Sequence, residues 1–275
     1  MILVNDLKLK ITKDICLDTE FYTEGPVIDR DGNVYVTNLL GGKILKIDCL
    51  LTMDEWGACE SPNGQYISAE GNHWVCNTLA SNILVFDRDG KYKYCAYDGT
   101  KGSFKVVSPN DLWVEPDGSF YFTDSVRELG QVVFVDLAGE AHLLSAELDY
   151  PNGIVLDKVN NRLLVAESYQ NRILSIDLTE KGAKPSVWLD LPVNSNRQEI
   201  GNLPDGLALD QQGNLWIAHY GMGRIYRVDI STKECYGFDV GFPLSSNICA
   251  QNGRLILTGG VSEPKGGKVR MIWYA

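Results

Sequence analysis

Six positions along the chain carry a side-chain oxygen at the start of a recurring turn phrase. The six residues are Glu24, Asn63, Asn110, Asn152, Asp205 and Asn247. They recur about 40 to 50 residues apart, and most follow a proline. Asn and Asp are common turn residues, which would account for any one position. The turn explanation fits the set poorly, because Glu is a poor turn former and no Ser, Gly or Lys occupies any of the six.

An array of amide and carboxylate oxygens suits a hard cation. Ca²⁺ takes six to eight oxygen ligands and accepts irregular geometry, whereas Zn²⁺ prefers the His and Cys side chains that these positions lack. The carboxylates of Glu24 and Asp205 would neutralise one divalent charge. The pattern therefore predicts a divalent cation, with Ca²⁺ favoured and Mg²⁺, Mn²⁺ or Zn²⁺ left open.

The six residues begin copies of one two-strand phrase. Each copy has an apolar run, a turn that usually bears Gly or Asn, and a second run, as in a β-hairpin. A third strand follows every copy, and a weaker fourth strand follows most of them. The copies read TEGPVIDRDGNVYVTN, SPNGQYISAEGNHWVCNT, SPNDLWVEPDGSFYFTDS, YPNGIVLDKVNNRLLVAES, LPDGLALDQQGNLWIAHYG and SSNICAQNGRLILTGG.

Four short strands repeated at this interval are typical of a β-propeller blade. The six copies predict an all-β, six-bladed β-propeller with four-stranded blades, and residues 1–275 as a single domain. The sixth copy reaches residue 275 before its fourth strand, so we expect the N-terminal segment 8–15 to supply that strand and close the ring. Because the first strand of each blade lines the channel, the six oxygen-bearing residues would share one ring.

The composition argues against several classes of protein. The formal net charge of −11 opposes binding to nucleic acid. No run of about 18 apolar residues is present, so we expect no membrane partner. The N-terminus does not resemble a signal peptide, and the seven Cys residues show no CxxC spacing. We therefore expect reduced, mostly buried thiols and a cytoplasmic location; the oligomeric state stays open.

Several motifs in order resemble one known family. They are EGP at 24–26, PND at 109–111 with FTD at 122–124, PNGI at 151–154 with LLVAES at 163–168, and PDGLALD at 204–210 with LWIAHYG at 215–221. Together they resemble the SMP-30/gluconolactonase/LRE-like family over essentially the whole chain. The resemblance implies a six-bladed propeller with a divalent ion, commonly Ca²⁺, in its channel. It implies Glu24, Asn110, Asn152 and Asp205 as metal ligands, and Asp205 as the catalytic base or nucleophile.

The chain departs from the sugar-lactonase pattern before PND, where Ser108 replaces a common Arg. Arg127 is a candidate to compensate for that Arg. His219 could shuttle protons if its pKa stays near neutrality, although we favour a hydrogen-bonded loop His as the explanation. The predicted substrate-binding residues are Asn63, Asp124, Arg127, His219 and Asn247. The long loop 194–202 is a candidate specificity element.

Three hypotheses follow. The first is a metal-dependent hydrolase of a lactone or similar ester, a small-molecule substrate, in which the ion polarises the carbonyl and Asp205 assists attack by water. The second keeps the site for phosphotriester hydrolysis, or for cyclisation or isomerisation in biosynthesis. The third is a metal-free interaction propeller, whose oxygens serve only turns and contacts between blades.

Overall fold

The computed structural model describes residues 3–101, 104–180, 182–194 and 201–275. Within these ranges the chain forms β-strands, one short 3₁₀ helix at Ser168–Gln170, and no α-helix. The strands form six sheets. The fold is a six-bladed β-propeller, which confirms the prediction from the repeats. In the described ranges, no helix is both long enough and apolar enough to span a bilayer.

Two strands precede the first repeat, and the other strands follow in chain order, four to a blade except in the last. They are β1 Val4–Asp6 and β2 Ile11–Phe21; β3 Thr23–Ile28, β4 Val34–Asn38, β5 Lys43–Ile47 and β6 Met53–Ala58; β7 Pro62–Ile67, β8 His73–Asn77, β9 Asn82–Phe86 and β10 Tyr92–Asp98; β11 Pro109–Val114, β12 Phe120–Asp124, β13 Gly130–Val135 and β14 Ala141–Leu148; β15 Pro151–Asp157, β16 Arg162–Glu167, β17 Arg172–Asp177 and β18 Ser186–Asp190; β19 Leu203–Leu209, β20 Asn214–Tyr220, β21 Arg224–Asp229 and β22 Cys235–Asp239; β23 Leu244–Gln251, β24 Arg254–Gly260 and β25 Lys265–Tyr274.

The N-terminal strand β2 completes the sixth sheet. It pairs antiparallel with β25, and the sheet order is β2-β25-β24-β23. The prediction that an N-terminal strand completes the last sheet is confirmed, but the strand spans Ile11–Phe21 and not the predicted segment 8–15. Acidic side chains of β2 face basic side chains of β25 in three ion pairs, which favour this register over others. The pairs are Asp14–Arg270 at 2.7 Å, Glu20–Lys265 at 2.8 Å, and Asp18–Lys268.

Strand β1 is a feature that the repeat pattern did not predict. It pairs in parallel with β22, so the fifth sheet has five strands in the order β1-β22-β21-β20-β19. Val4 lies opposite Cys235 and Asp6 lies opposite Gly237. The strand covers the outer edge of that sheet, which would otherwise expose unpaired backbone groups.

The chain divides into two compact units. The central unit is Glu24–Ile154, and the terminal unit combines Met1–Thr23 with Val155–Ala275. The central unit buries a cluster between its second and third sheets that includes Trp74, Ile83 and Phe122. The terminal unit buries a cluster that includes Trp216, Leu257 and Ile272. Fully burying one such aliphatic or aromatic side chain contributes about 1.5–3 kcal/mol, so the apolar second strand of each repeat is a main source of stability.

The acidic residue that ends many strands closes the turn after it. Asp29 Oδ1, for example, accepts the N–H groups of Asp31 and Asn33, each at 2.9 Å. The same arrangement of a carboxylate with the residues two and four positions later recurs at Asp48, Asp87, Asp136 and Asp210. This side-chain turn explains why the repeats end their strands in Asp.

The seven cysteines are all unpaired, as predicted. The expectation that most are buried is wrong, since only Cys76 and Cys235 are buried. Cys16, Cys49 and Cys95 are exposed. Cys16 and Cys95 lie on β2 and β10, each the outermost strand of its sheet. An outermost strand turns one of its faces toward solvent.

Candidate functional site

A β-bulge occurs on the first strand of four blades, at the residues that carry the predicted site. In the second blade Pro62 lies opposite Asn77 and Gln65 lies opposite Val75, so three residues advance against two. The bulges on β7, β11, β19 and β23 enclose Asn63–Gly64, Asn110–Asp111, Asp205–Gly206 and Ser246–Asn247. A bulge redirects side chains out of the regular alternation of a strand. Asn63, Asn110, Asp205 and Asn247 therefore lie in β-bulges rather than in ordinary turns.

The register corrects the sequence alignment of the sixth blade. In the sixth blade the bulge lies between Ser245 and Ile248, and in the second blade it lies between Pro62 and Gln65. The first residue inside each bulge is therefore Ser246 in the sixth blade and Asn63 in the second. Asn247 is one position further along. The alignment of Asn247 with the other five residues is therefore wrong, because SSN lacks the proline that marks the phrase elsewhere.

Contacts within the bulges support this correction. Asn247 Oδ1 accepts the N–H of Ile248 at 2.8 Å, and Asp111 Oδ1 accepts the N–H of Leu112 at 2.9 Å. The two side chains thus make the same contact at the second position of their bulges. The role of Asn247 in substrate binding stays a prediction.

All of the predicted oxygen-bearing residues are buried but retain a small exposed fraction. The exposed fractions are 8% for Glu24, 5% for Asn63, 8% for Asn110, 6% for Asn152, 8% for Asp205 and 6% for Asn247. Four of these residues lie in the central unit, and Asp205 and Asn247 lie in the terminal unit. Each of these side chains is therefore largely removed from water but not sealed from it.

Hydroxyl groups on neighbouring blades hold the backbone of these residues. Thr37 Oγ1 donates to the carbonyl of Asn63 at 2.8 Å, and Thr123 Oγ1 donates to the carbonyl of Asn152 at 2.7 Å. In the terminal unit, Ser168 Oγ donates at 2.7 Å to the carbonyl of Pro204, which precedes Asp205. These bonds fix the bulges in place, so the side chains are positioned before any ligand binds.

The side chain of Asn63 offers a free acceptor. Its Nδ2 donates to Thr78 Oγ1 at 3.3 Å. Its Oδ1 is buried and has no hydrogen-bond partner within the described parts of the chain. A buried polar atom without a partner is costly, so this oxygen is a candidate contact for a bound group. The role of Asn63 in substrate binding stays a prediction.

Asp111 is a buried carboxyl that the sequence analysis did not single out. Burial raises its pKa to about 7, and the N–H groups of Leu112 and Ile154 partly oppose that rise. Its backbone also interacts with Thr123 Oγ1, at 3.2 Å from its amide nitrogen. The only signal in the sequence is the Asp of PND, which reads as a turn residue until the bulge is known.

Asp205 has polar neighbours that belong to other loops of the terminal unit. Burial raises the pKa of the Tyr220 hydroxyl, and the charges of Glu263 and Asp205 raise it further. Tyr220 is hydrogen-bonded to Glu263, and its ring packs edge-on against that of Tyr22 with centroids 6.4 Å apart. Glu263 was missed from the sequence, although it lies in the same type of loop, between second and third strands, as Arg127.

Asp124 is completely buried and binds the backbone of its own blade. Its Oδ1 accepts the N–H groups of Val107 at 3.0 Å and Ser108 at 2.5 Å. Burial raises the pKa of this carboxyl, and the two N–H groups oppose the rise. Asp124 therefore fixes the segment that leads into Asn110. Its predicted contact with substrate remains a prediction.

Arg127 forms an ion pair with Asp149, with 2.7 Å between Nε and Oδ1. Asp149 also accepts the N–H of Glu128 at 3.3 Å. The pair ties the loop after β12 to the loop before β15. The guanidinium thus has a structural partner, whatever further contact it makes with a substrate.

His219 is completely buried, and its ring packs edge-on against Tyr226 with centroids 5.5 Å apart. Neither ring nitrogen makes a hydrogen bond of normal geometry within the described residues. Burial lowers its pKa to about 3, and a backbone contact with Asn202 only partly opposes this. Such a ring is neutral near pH 7, which argues against the predicted proton shuttle.

Among the described residues, Asp136, Glu140 and His142 place three ligand atoms within 4.8 Å of one another. Contacts within the β13–β14 hairpin explain this cluster, since Asp136 caps the turn and its Oδ2 lies 2.9 Å from His142 Nε2.

Of the predicted specificity loop 194–202, residues 195–200 lie outside the described ranges.

The chain belongs to the SMP-30/gluconolactonase/LRE-like family. The family model described as SMP-30/Gluconolactonase/LRE-like region matches residues 22–258, which confirms the resemblance drawn from the motifs. The chain is 26% identical over 226 residues to a gluconolactonase of Zymomonas mobilis subsp. mobilis, covering 70% of this chain. The match spans 59% of that protein, so the chain covers less than two thirds of this relative.

Solved structures share the fold over nearly the whole chain. XC5397 from Xanthomonas campestris, described as a gluconolactonase, has a TM-score of 0.78 at 20% identity and covers 97% of this chain and 91% of its own. A calcium-binding protein, regucalcin, from Agrobacterium tumefaciens has a TM-score of 0.74 at 15% identity, covering 100% of this chain and 98% of its own. These structures establish likeness of fold.

Proposed function

We propose that this protein is a divalent-metal-dependent lactone hydrolase. The observation that carries the proposal is the placement of Asn110 and Asp205 as first residues of equivalent bulges, on blades whose motifs belong to the family. The relatives named gluconolactonase support a lactone as the substrate class. The bulges at Asn110 and Asp205 support the proposal that these two residues take part in the reaction.

The donor chemistry of the predicted ligands fits a hard divalent cation. Glu24, Asn110 and Asn152 in the central unit and Asp205 in the terminal unit offer two carboxylates and two amide oxygens. Two carboxylates that are mostly removed from water carry two negative charges, which one divalent cation would neutralise. We favour Ca²⁺ because all the donors are oxygens, and the solved structure of a calcium-binding regucalcin supports that choice. Mg²⁺, Mn²⁺ and Zn²⁺ are the alternatives.

The reaction adds water across the acyl C–O bond of the lactone. A bound divalent cation would act as a Lewis acid toward the carbonyl oxygen. The carboxylate of Asp205 accepts a proton from the attacking water as its oxygen bonds to the carbonyl carbon. The bond to the ring oxygen then breaks, that oxygen takes up the proton, and the product is the open-chain hydroxy acid. Asn110 and Asn152 hold the reacting groups in register.

The backbone around Asp205 supports this role. Ser168 anchors the carbonyl of Pro204, and the side chain of Asn247 packs directly on Gly206. A Cβ on Gly206 would lie 2.0 Å from Asn247 Oδ1. The backbone on both sides of Asp205 is therefore fixed, which supports a preorganised position for its side chain.

The test combines metal analysis with turnover. We expect the purified protein to hold one equivalent of a divalent ion, to hydrolyse at least one member of a panel of lactones, to lose both properties in EDTA and to regain them with Ca²⁺. At a Ca²⁺ concentration 1,000 times the Kd, binding should stabilise the fold by about 4 kcal/mol. Asp205→Ala should abolish the metal content, whereas Asp136→Asn in the exposed hairpin cluster should preserve it.

Other results would select a rival function. A protein that binds the metal but turns over no lactone would favour phosphotriester hydrolysis or a biosynthetic cyclisation or isomerisation at the same residues. A protein without metal, whose melting temperature EDTA leaves unchanged, would overturn the hydrolase proposal. It would favour an interaction propeller.

A further inference from the structure

The third blade carries a cavity of about 430 Å³ beside the strand that bears Asn110. Its walls include the aliphatic side chains of Val107, Val126, Leu129, Leu143 and Ala146. All of these residues belong to the central unit. The volume falls in the range of small-molecule sites, roughly 300–1,000 Å³.

Three of the wall residues leave large apolar surface in water. The exposed fraction is 67% for Leu129, 48% for Leu143 and 41% for Val107. Single exposed leucines are common on proteins, and here three exposed apolar side chains gather around one concavity. Covering this surface with an apolar group would remove it from water.

The edge strand β14 opens the cavity through a bulge. Gly130 lies opposite Leu148 and Val132 lies opposite Ser145, so Ala146 and Glu147 form an extra step in the strand. Glu147 has a φ of 58°, which is unusual for a residue other than glycine. The bulge bends the strand away from its neighbour, and the space it leaves forms part of the cavity.

Hydrogen bonds hold the cavity walls in place. The Arg127–Asp149 ion pair and the bond from the Glu128 N–H to Asp149 fix the loop that leads to Leu129. On the opposite wall, Gln131 Nε2 donates to the carbonyl of Lys105 at 3.1 Å. A site whose walls are already ordered loses less conformational entropy when a ligand binds. The cavity is therefore preformed.

One wall residue of the cavity pairs with the strand that carries Asn110. The buried wall residue Asp124 pairs directly with Pro109, and Asn110 follows Pro109. The same carboxylate binds the N–H of Ser108, which stands where sugar lactonases often carry an Arg. The aliphatic part of the lining suits a hydrocarbon group better than a polyhydroxylated one. The charged rim residues Lys105 and Glu147 have opposite signs and would not repel an uncharged chain.

We propose that this cavity binds the aliphatic side chain of the lactone substrate, so that the protein acts on alkyl-substituted lactones. The inference rests on the proposed function and adds the substrate class to it. The lactone carbonyl would lie at the residues around Asn110 while the alkyl chain extends over Leu129 and Leu143. The reaction remains addition of water and opening of the ring.

The test is a series of γ-lactones whose alkyl substituents lengthen from methyl to nonyl, assayed with the Ca²⁺-loaded protein. We expect KM to fall about two- to fourfold for each added methylene until the cavity is filled, with kcat nearly constant. Leu129→Asp and Leu143→Asp should abolish this dependence on chain length. Leu137→Asp is the matched control, because Leu137 lies in the same blade and is 68% exposed but does not line the cavity. Circular dichroism and thermal unfolding verify that each variant is folded.

Two results would overturn the proposal while leaving lactone hydrolysis intact. One is a KM that does not change with chain length. The other is a chain-length dependence that survives unchanged in both cavity variants. Either would show that the alkyl group lies elsewhere.

A direct binding measurement separates failure of this inference from failure of the proposed function. If no lactone is hydrolysed, the protein is titrated with 1-octanol in a calorimeter. Binding that Leu129→Asp abolishes and Leu137→Asp preserves supports an aliphatic site even when the lactonase proposal fails. Absence of binding to the folded wild-type protein overturns the aliphatic site.

Discussion

The carboxylate of Asp111 lies against the backbone of Gly64 on the neighbouring blade. A Cβ built on Gly64 would fall 2.4 Å from Asp111 Oδ1 and 2.5 Å from the carbonyl oxygen of Asn110. In the terminal unit, Gly206 and Asn247 repeat this relationship. At both places two adjacent first strands approach so closely that one of them must lack a side chain.

Gly64→Ala should destabilise the protein by about 1–3 kcal/mol, because the added methyl group forces the backbone of Asn110 and Asp111 to move. The same shift should weaken Ca²⁺ binding. Urea unfolding and Ca²⁺ titration measure the two effects. Gly57→Ala is the control, since a Cβ there meets its nearest neighbours only at 3.6 Å. Equal stability of the two variants would contradict the close approach.

Asp205→Asn should lower kcat for lactone hydrolysis by at least about 100-fold, because the amide cannot accept the proton from water. The substitution keeps the size of the side chain, so the loss should not reflect misfolding. Steady-state kinetics with elemental analysis provide the measurement. Asp239→Asn, at an exposed carboxylate of the same blade, should leave the rate unchanged. An Asp205→Asn variant with full metal content and full rate would rule out the general-base role.

Stability should fall as the pH drops below about 6.5, in part because of His73. Burial lowers the pKa of this residue to about 3, with the charge of Asp29 in partial opposition. Between these two values the unfolded chain binds a proton that the folded protein does not, so the free energy of unfolding decreases toward low pH. The slope for one such residue is about 1.4 kcal/mol per pH unit.

Urea unfolding at several pH values between 4.5 and 7.5 checks this expectation. His73→Gln should flatten the pH dependence relative to the wild type. A slope that is the same in both proteins would mean that His73 titrates normally in the folded state.

Arg127→Gln should raise KM for long-chain γ-lactones and leave short-chain lactones nearly unaffected, because the ion pair with Asp149 holds the loop that leads to Leu129. The side chain of Arg127 is 43% exposed, and such a pair contributes at most about 1 kcal/mol, which limits the rise to roughly fivefold. Asp149→Asn should have the same effect. An equal rise for short polar lactones would instead favour direct contact between Arg127 and the substrate.

The blades could be predicted because each repeat encodes its own hairpins. The turn motifs, the strand-ending Asp residues and the apolar second strands are local signals, and they gave six blades and the N-terminal strand of the last sheet. Strand β1 could not be predicted, because the three residues Val4–Asp6 are too few to show an alternating hydrophobic pattern. Its pairing with β22 also depends on a partner far along the chain. The cytoplasmic location and the exclusion of nucleic-acid and membrane partners remain predictions from composition.

The site was less predictable because its positions depend on bulges. A bulge inserts one extra residue into a strand and so changes the direction of the side chains beside it, and no sequence motif reliably signals it. Asn247 was therefore aligned one position away from its true equivalents. The states of His219 and Asp111 depend on which side chains of other strands cover them, and no local pattern reports that burial.

The pairing of β2 with β25 has a consequence for synthesis of the chain. Thr12 Oγ1 donates to the carbonyl of Trp273 across 261 residues, so β2 leaves the ribosome long before its partner is made. At translation rates of 5–20 residues per second the delay is roughly 10 to 50 seconds. During that time the acidic side chains that later meet Lys265, Lys268 and Arg270 keep the lone strand charged and hydrated. Charges on an unpaired strand discourage pairing with other nascent chains. The acidic side chains that set the final register therefore also oppose aggregation of β2 before β25 is synthesised.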